Sequence, residues 1–201
     1  MDNPQETEAR VLAAATAEFH EKGFSGARMQ EIARRAGLNQ SLLHYYYRTK
    51  DRLFEAVFSR AVRHVMVPVL EVLGSPLPLR EKVERFVHTY IDQVLVNPHV
   101  PGFVVEELRR NPDRLRTFMS GHTNGLFAIL AAQIEEAVAA GQIRPIAPAH
   151  FVANLMALCV FPFVARPMVQ TVTGMDDTAY HAFLQQRKEV VVRFFLDALT
   201  P

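Results

Sequence analysis

The sequence predicts an all-α protein: an N-terminal three-helix domain of helix-turn-helix type and a larger C-terminal helical domain. Three observations carry this. Apolar residues recur at three- and four-residue steps wherever the period can be tested. Alternating strand patterns joined by a hairpin dipeptide are absent. Residues 23–54 read as two short helices about a tight turn, followed by the start of a long one.

Within that block, Met29, Ile32, Ala33 and Ala36 share the inner face of a two-turn helix, and Glu31, Arg34 and Arg35 point outward. Ala33 is small where the next helix crosses. Gly37 supplies the turn, Leu38 plugs the core, and Asn39 is placed to cap the second helix. Leu42 and Leu43 are expected to face inward, which leaves Gln40, Ser41, His44 and Tyr45 on the exposed side.

The rest of the chain continues the helical plan. Leu53, Phe54, Val57, Phe58, Val62, Val65, Val69 and Leu73 form one long stripe, stopped at 74–78 by Gly and Pro. A second stripe runs from Val83 to Leu95 and closes at Asn97-Pro98. Asn111-Pro112 opens a third, with Leu115, Phe118, Met119, His122, Leu126, Ile129, Leu130, Ile134 and Ala137 on one face and Gly141 at its end. Residues 145–175 carry a single formal charge, Arg166, so this stretch is expected to serve both an internal core and a subunit interface. Pro162 and Pro167 must break or kink it. Tyr180, Phe183, Leu184, Val190, Val191, Phe194 and Phe195 mark the last helix. The domain boundary is set at 52/53, giving 1–52 and 53–201.

Composition excludes several classes. With 49% hydrophobic and 21% charged residues the chain is neither disordered nor a polycation, and its net charge is +1. One cysteine, Cys159, rules out an intrachain disulfide framework. The polar start is unlike a signal peptide, and no apolar run reaches the roughly 20 residues of a membrane span. A cytoplasmic protein with no membrane association is expected. No two histidines stand three or four apart, and Glu106-Glu107 and Glu135-Glu136 splay around their helices, so neither a metal site, a cofactor nor an enzyme is expected.

The near-neutral total conceals a basic stretch. Lys22, Arg28, Arg34, Arg35, Arg48, Lys50 and Arg52 face Glu31 and Asp51 between residues 22 and 52. A short helix with polar residues in its N-terminal half suits the DNA major groove. Gln40 can pair bidentately with adenine, Ser41 can donate or accept, and Tyr45 can meet a thymine methyl or a phosphate. Lys50, at the start of the long helix, is placed as a phosphate grip. Arg28, Gln30, Asn39, His44 and Tyr46 complete the candidate DNA-binding set.

Gly23-Phe24, Met29-x-x-Ile32-Ala33-x-x-Ala36-Gly37-Leu38, Tyr45-Tyr46-Tyr47 and Thr49-Lys50-x-x-Leu53 together resemble the N-terminal domain of TetR-type repressors, from about Thr7 to Ala61. The resemblance implies a homodimer, two recognition helices on a palindromic double-stranded operator, and a C-terminal cavity for a small effector that controls their separation. It implies a repressor released by an apolar or amphipathic ligand. An activator, or a regulator controlled by a protein partner, would share this N-terminus, and an all-helical enzyme is the remaining alternative. The chain departs from the family at Ala27-Arg28, where Thr or Ser often caps the first motif helix, so Ser25 is a candidate cap. It departs again at His44, usually Tyr, and at Tyr47, usually Phe.

For the effector, Tyr90, Phe103, Phe118, His122, Leu126 and Met156 are candidates to line an apolar cavity. His122 lies on an inward stripe, where a satisfied core histidine is the plainer role. For the dimer interface the candidates are Phe151, Leu155, Phe183, Val190 and Phe194.

Overall fold

The computed structural model describes residues 3–123 and 125–201, without the side chains of Leu115 and His122. Among them run eleven helices: α1 (Pro4–Gly26), α2 (Met29–Arg35), α3 (Gln40–Tyr46), α4 (Lys50–Gly74), α5 (Leu79–Val96), α6 (Val100–Arg110), α7 (Pro112–His122), α8 (Leu126–Ala139), α9 (Pro148–Val164), α10 (Arg166–Thr173) and α11 (Asp177–Leu199). No strand occurs among the described residues. The helices fall into two compact units, one ending at Arg63 and one spanning His64–Pro201. The expected boundary at 52/53 lies earlier because the first turns of α4 belong to the core of the first unit. There Phe54 meets Phe19 edge-on at 5.1 Å and Phe24 at 5.2 Å.

In the first unit Val11, Ala15, Phe19, Ile32, Ala33, Leu43, Leu53, Phe54 and Phe58 are buried, so one apolar core holds α1, α2, α3 and the start of α4. The α2–α3 turn is closed by backbone bonds from Gly37 N to Arg34 O (3.1 Å) and from Leu38 N to Ala33 O (2.9 Å). Gly37 has φ +67°, a left-handed conformation that a Cβ would strain. From α1, Arg10 reaches across to donate to the carbonyl of Ala36 at 2.8 Å, satisfying the C-terminal end of α2. Glu18, fully buried in α1, pairs with Lys22 at 2.8 Å and with Arg35 of α2 at 3.1 Å.

The second unit packs α5 against α11, α6 against α7, and α5, α6, α8, α10 and α11 against α9. Lys82 of α5 is buried and donates to Gln133 Oε1 at 2.8 Å, while Gln133 Nε2 donates to the carbonyl of Leu77 at 2.8 Å. Desolvation lowers the Lys82 pKa. Glu107, wholly buried in α6, pairs with Arg114 of α7 at 2.8 Å.

Two helix assignments differ from the sequence reading. Helix α6 was not anticipated, because its stripe is interrupted by Pro101, Gly102 and the buried Glu107. The stripe from Leu115 to Ala137 is two helices, α7 and α8, parted where Gly125 adopts φ +77°. Ile129, placed on the inner face, is consequently exposed, whereas Leu130, Ile134 and Ala137 are buried. The 145–175 stretch is broken as its prolines require, into α9 and α10, which meet at 77°. Pro162 sits in the last turn of α9 and its carbonyl accepts the Tyr180 hydroxyl at 2.5 Å. Pro167 opens α10, where a missing N–H leaves no helical bond unmade. No single helix among the described residues is long and apolar enough to cross a membrane.

Candidate nucleic-acid interface

Asn39 caps α3 by accepting the Leu42 amide at 2.8 Å, and Leu43 is wholly buried beneath it. This anchors the helix and turns Gln40, Ser41, His44 and Tyr45 to solvent, with Tyr45 81% exposed. Tyr46 is half-buried and meets Tyr45 edge-on at 5.6 Å. Arg28 and Gln30 are exposed at the start of α2. Asn39 is exposed too, but its side-chain oxygen is engaged in the cap.

The structure corrects the sequence reading here. Leu42 does not face inward; it is 37% exposed, because neighbouring helical residues stand 100° apart and Leu43 already takes the inner position. Its methyls therefore join the outer face. Ser25 provides no side-chain cap: α2 begins at Arg28, which makes no side-chain cap bond either. Within the chain the ammonium of Lys50, the candidate phosphate grip, donates to the carbonyls of Ala27 (3.1 Å) and Ser25 (3.4 Å) and lies 4.5 Å over the Phe24 ring. It ties the start of α4 to the α1–α2 turn.

Charge is arranged unevenly around this face. Arg34 is paired with Glu31, and Arg35 with Glu21 at 2.5 Å. Those hydrogen bonds hold the Glu31 and Glu21 carboxyls below the usual carboxylate range. Arg28 and Arg48 make no ion pair among the described residues. Tyr47 turns away and donates to Glu8 of α1 at 2.9 Å, and burial raises its phenol pKa. Sequence reasoning missed Leu42 as a surface group and Arg10 and Glu18 as supports, and it counted Arg48 in the basic stretch without placing it in the DNA-binding set. The charge of Arg48 was the signal available in the sequence, whereas its lack of an ion pair among the described residues is visible only in the structure.

A salt titration separates these roles. For Lys50→Met, the expected result is a lower thermal midpoint with an unchanged slope of log K against log salt. Arg48→Met should flatten that slope by about one unit. A loss of about one unit on removing Lys50 would restore it to the phosphate contacts.

In the second unit, Tyr90 and Phe103 are buried, and Phe118, Leu126 and Met156 are half-buried. The His122 side chain lies outside the described residues. Tyr90 of α5 meets Phe163 of α9 edge-on at 6.4 Å, and burial raises its phenol pKa. Leu126 lies elsewhere, lining a recess of ≈ 410 Å³ with Val67, Leu70, Glu71 and Gly74. A second cavity, of ≈ 240 Å³, is walled by Val83, Ile143, Phe151, Leu196 and Leu199 and contains none of the six candidates.

Phe151 and Leu155, expected at the dimer interface, are buried within the single chain, where Phe151 packs edge-on against Phe195 at 5.0 Å. Phe183 is half-buried, while Val190 and Phe194 are exposed. Cys159 is buried beside these core residues of α9, and desolvation pushes its thiol pKa up to about 12. A disulfide-exchange reagent at pH 8 should leave it unmodified in the folded chain and titrate one thiol after denaturation. Stoichiometric reaction before unfolding would contradict its burial.

The chain matches two family profiles: "Bacterial regulatory proteins, tetR family" over residues 11–57, and "Tetracyclin repressor-like, C-terminal domain" over residues 80–194. It is 25% identical over 191 residues to the HTH-type transcriptional regulator RutR of Escherichia coli, covering 95% of this chain and 89% of that protein. To the HTH-type transcriptional repressor SCO4008 of Streptomyces coelicolor it is 37% identical over 67 residues, 33% of this chain and 35% of the repressor. The crystal structure of HlyIIR, a hemolysin II transcriptional regulator, shares the fold with a TM-score of 0.68 at 20% identity, covering 99% of each chain. With both profiles in register and an exposed recognition helix in the first, this chain belongs to the tetR family of bacterial regulatory proteins and is a helix-turn-helix DNA-binding regulator rather than an enzyme.

Proposed function

We propose that this chain is a homodimeric repressor that binds a palindromic operator through α3 and is released by a small apolar or amphipathic ligand. The observation that carries the DNA-reading half is the outward row Gln40, Ser41, His44 and Tyr45 on a helix anchored by buried Leu43. Arg28 and Arg48 supply phosphate contacts around it, and Leu42 offers methyls to a thymine. We assign DNA reading to the first unit, and dimerisation and effector binding to the second. The site of action is the cytoplasm.

Dimerisation is supported by apolar side chains that a single chain leaves uncovered: Phe161 of α9 at 49% exposure, and Val190 and Phe194 of α11 at 44% and 62%. Effector binding is supported by aromatic groups of α5, α6 and α9: Tyr90 and Phe103 are buried, and Phe163 is half-buried against Tyr90. Release is a population shift. A ligand that prefers the dimer with recognition helices mis-spaced for half-sites a helical turn apart lowers operator affinity. Helix α4 begins in the first unit and ends in the second, which suits it as the lever.

Selecting bound sequences from random duplex DNA tests the reading. A palindrome with half-sites one helical turn, or a multiple of it, apart is expected. A reporter behind that operator should rise when the gene is deleted; a fall would make the protein an activator. Ligand saturation that leaves operator affinity unchanged would overturn the release mechanism.

A further inference from the structure

We propose that His44 fixes the orientation of the Gln40 amide and so makes adenine the base that α3 selects. This rests on the DNA-reading role proposed for α3. His44 Nδ1 lies 3.3 Å from the carbonyl oxygen of Arg48, which can accept and never donate. Nδ1 therefore carries the hydrogen, and in the neutral ring Nε2 is left as an acceptor. One turn earlier on the same face, Gln40 Nε2 stands 3.4 Å from that nitrogen. The amide accordingly turns its NH2 toward the ring and gives one of its two hydrogens to it.

What remains of Gln40 is one N–H and the oxygen Oε1. That adjacent donor and acceptor complement the N7 acceptor and N6 donor of adenine in the major groove. Turning the amide over would set Oε1 against the Nε2 lone pair, lone pair facing lone pair. His44 blocks that orientation. Both contacts are long, so the device chooses between two amide orientations rather than stabilising the helix, which Leu43 and the Asn39 cap already hold. His44 is thus a positioning residue acting through Gln40, in place of a phosphate contact of its own. The Arg48 carbonyl, just beyond the end of α3, is the fixed point from which the relay takes its direction.

The experiment uses the full chain and duplexes built on the selected sequence, with each A·T pair in turn replaced by G·C. For the unmodified protein, one position per half-site should lose about tenfold or more in affinity on replacement. His44→Phe should shrink that discrimination to about two- to threefold, read as the ratio of A·T to G·C affinity within the variant so that any uniform change in affinity cancels. His44→Gln, which places an acceptor near the Nε2 position, should recover most of it. In a Gln40→Ala background the discrimination should be gone and His44→Phe should have no further effect, as a double-mutant cycle requires. The assignment is overturned if His44→Phe keeps full discrimination, or weakens all duplexes equally as loss of a phosphate contact would. It is overturned as well if Gln40→Ala still discriminates. A protein that enriches no sequence at all overturns the DNA-reading role itself, and this assignment with it.

Discussion

Phe54→Ala is expected to abolish DNA binding without touching a DNA-facing residue. Phe54 is wholly buried, edge-on to Phe19 and Phe24 and stacked on Phe58 at 6.2 Å. Removing it deletes the middle of a ring cluster in the first unit, at a cost of about 3–5 kcal/mol. Whole domains are stable by roughly 5–15 kcal/mol, and a unit of this size lies toward the lower end of that range. The loss also strips support from Phe24, on whose face the Lys50 ammonium rests. Thermal unfolding followed by circular dichroism should show a transition lowered by about 10 °C or more. Operator affinity should vanish at temperatures where helices of the second unit persist. Phe54→Leu, which keeps most of the volume, should retain binding. An alanine variant with full operator affinity at 37 °C would show that this cluster does not hold the motif in place.

What could be read from the sequence follows from how local each signal is. The turn between α2 and α3 is encoded within seven residues: Ala33 for close approach, Gly37 for positive φ, Asn39 for the cap. It was therefore legible. The supports arriving from α1 were not, since nothing near Arg10 or Glu18 in the chain announces that one satisfies the Ala36 carbonyl and the other meets Arg35. Long polar side chains on a helix read as a solvated face until a tertiary partner is known. Lys50 shows the same limit: its place at a helix start suggests phosphate, while its contacts within the chain are carbonyls more than twenty residues away, which no local pattern announces.

The second unit blurs for another reason. Periodicity gives a helix its phase when one side is polar, and α9 is apolar almost all round. Phe151, Leu155, Phe161 and Val164 are chemically alike, yet the first two fill the core and the last two are exposed. Helix α6 hides in the opposite way. Its buried Glu107 breaks the apolar stripe, and the arginine that accommodates it comes partly from α7. The α7–α8 break was masked because the apolar spacing runs on across Gly125 as though the helix continued.

Substituting Val190 and Phe194 together with glutamate gives the second large expected effect. Both residues are exposed in the single chain, so little core packing is lost and helix content should stay unchanged. If they cover one another across a two-fold axis, four buried carboxylates would face an apolar surface with no counter-charge, a cost that dissociates the dimer. Sedimentation velocity at micromolar concentration should then show a monomer where a dimer is expected of the parent chain. Operator affinity should fall by about 10²–10⁴, because the second half-site is no longer held at high effective concentration beside the first. A single half-site, which one recognition helix reads alone, should bind the variant and the parent equally per chain. The contrast with Leu155→Ala is informative: that residue is buried within the chain, so its loss should lower the melting temperature by way of a cavity. A double-glutamate variant that still sediments as a dimer would place the interface away from this face of α11. A monomer with undiminished operator affinity would instead detach DNA recognition from dimerisation.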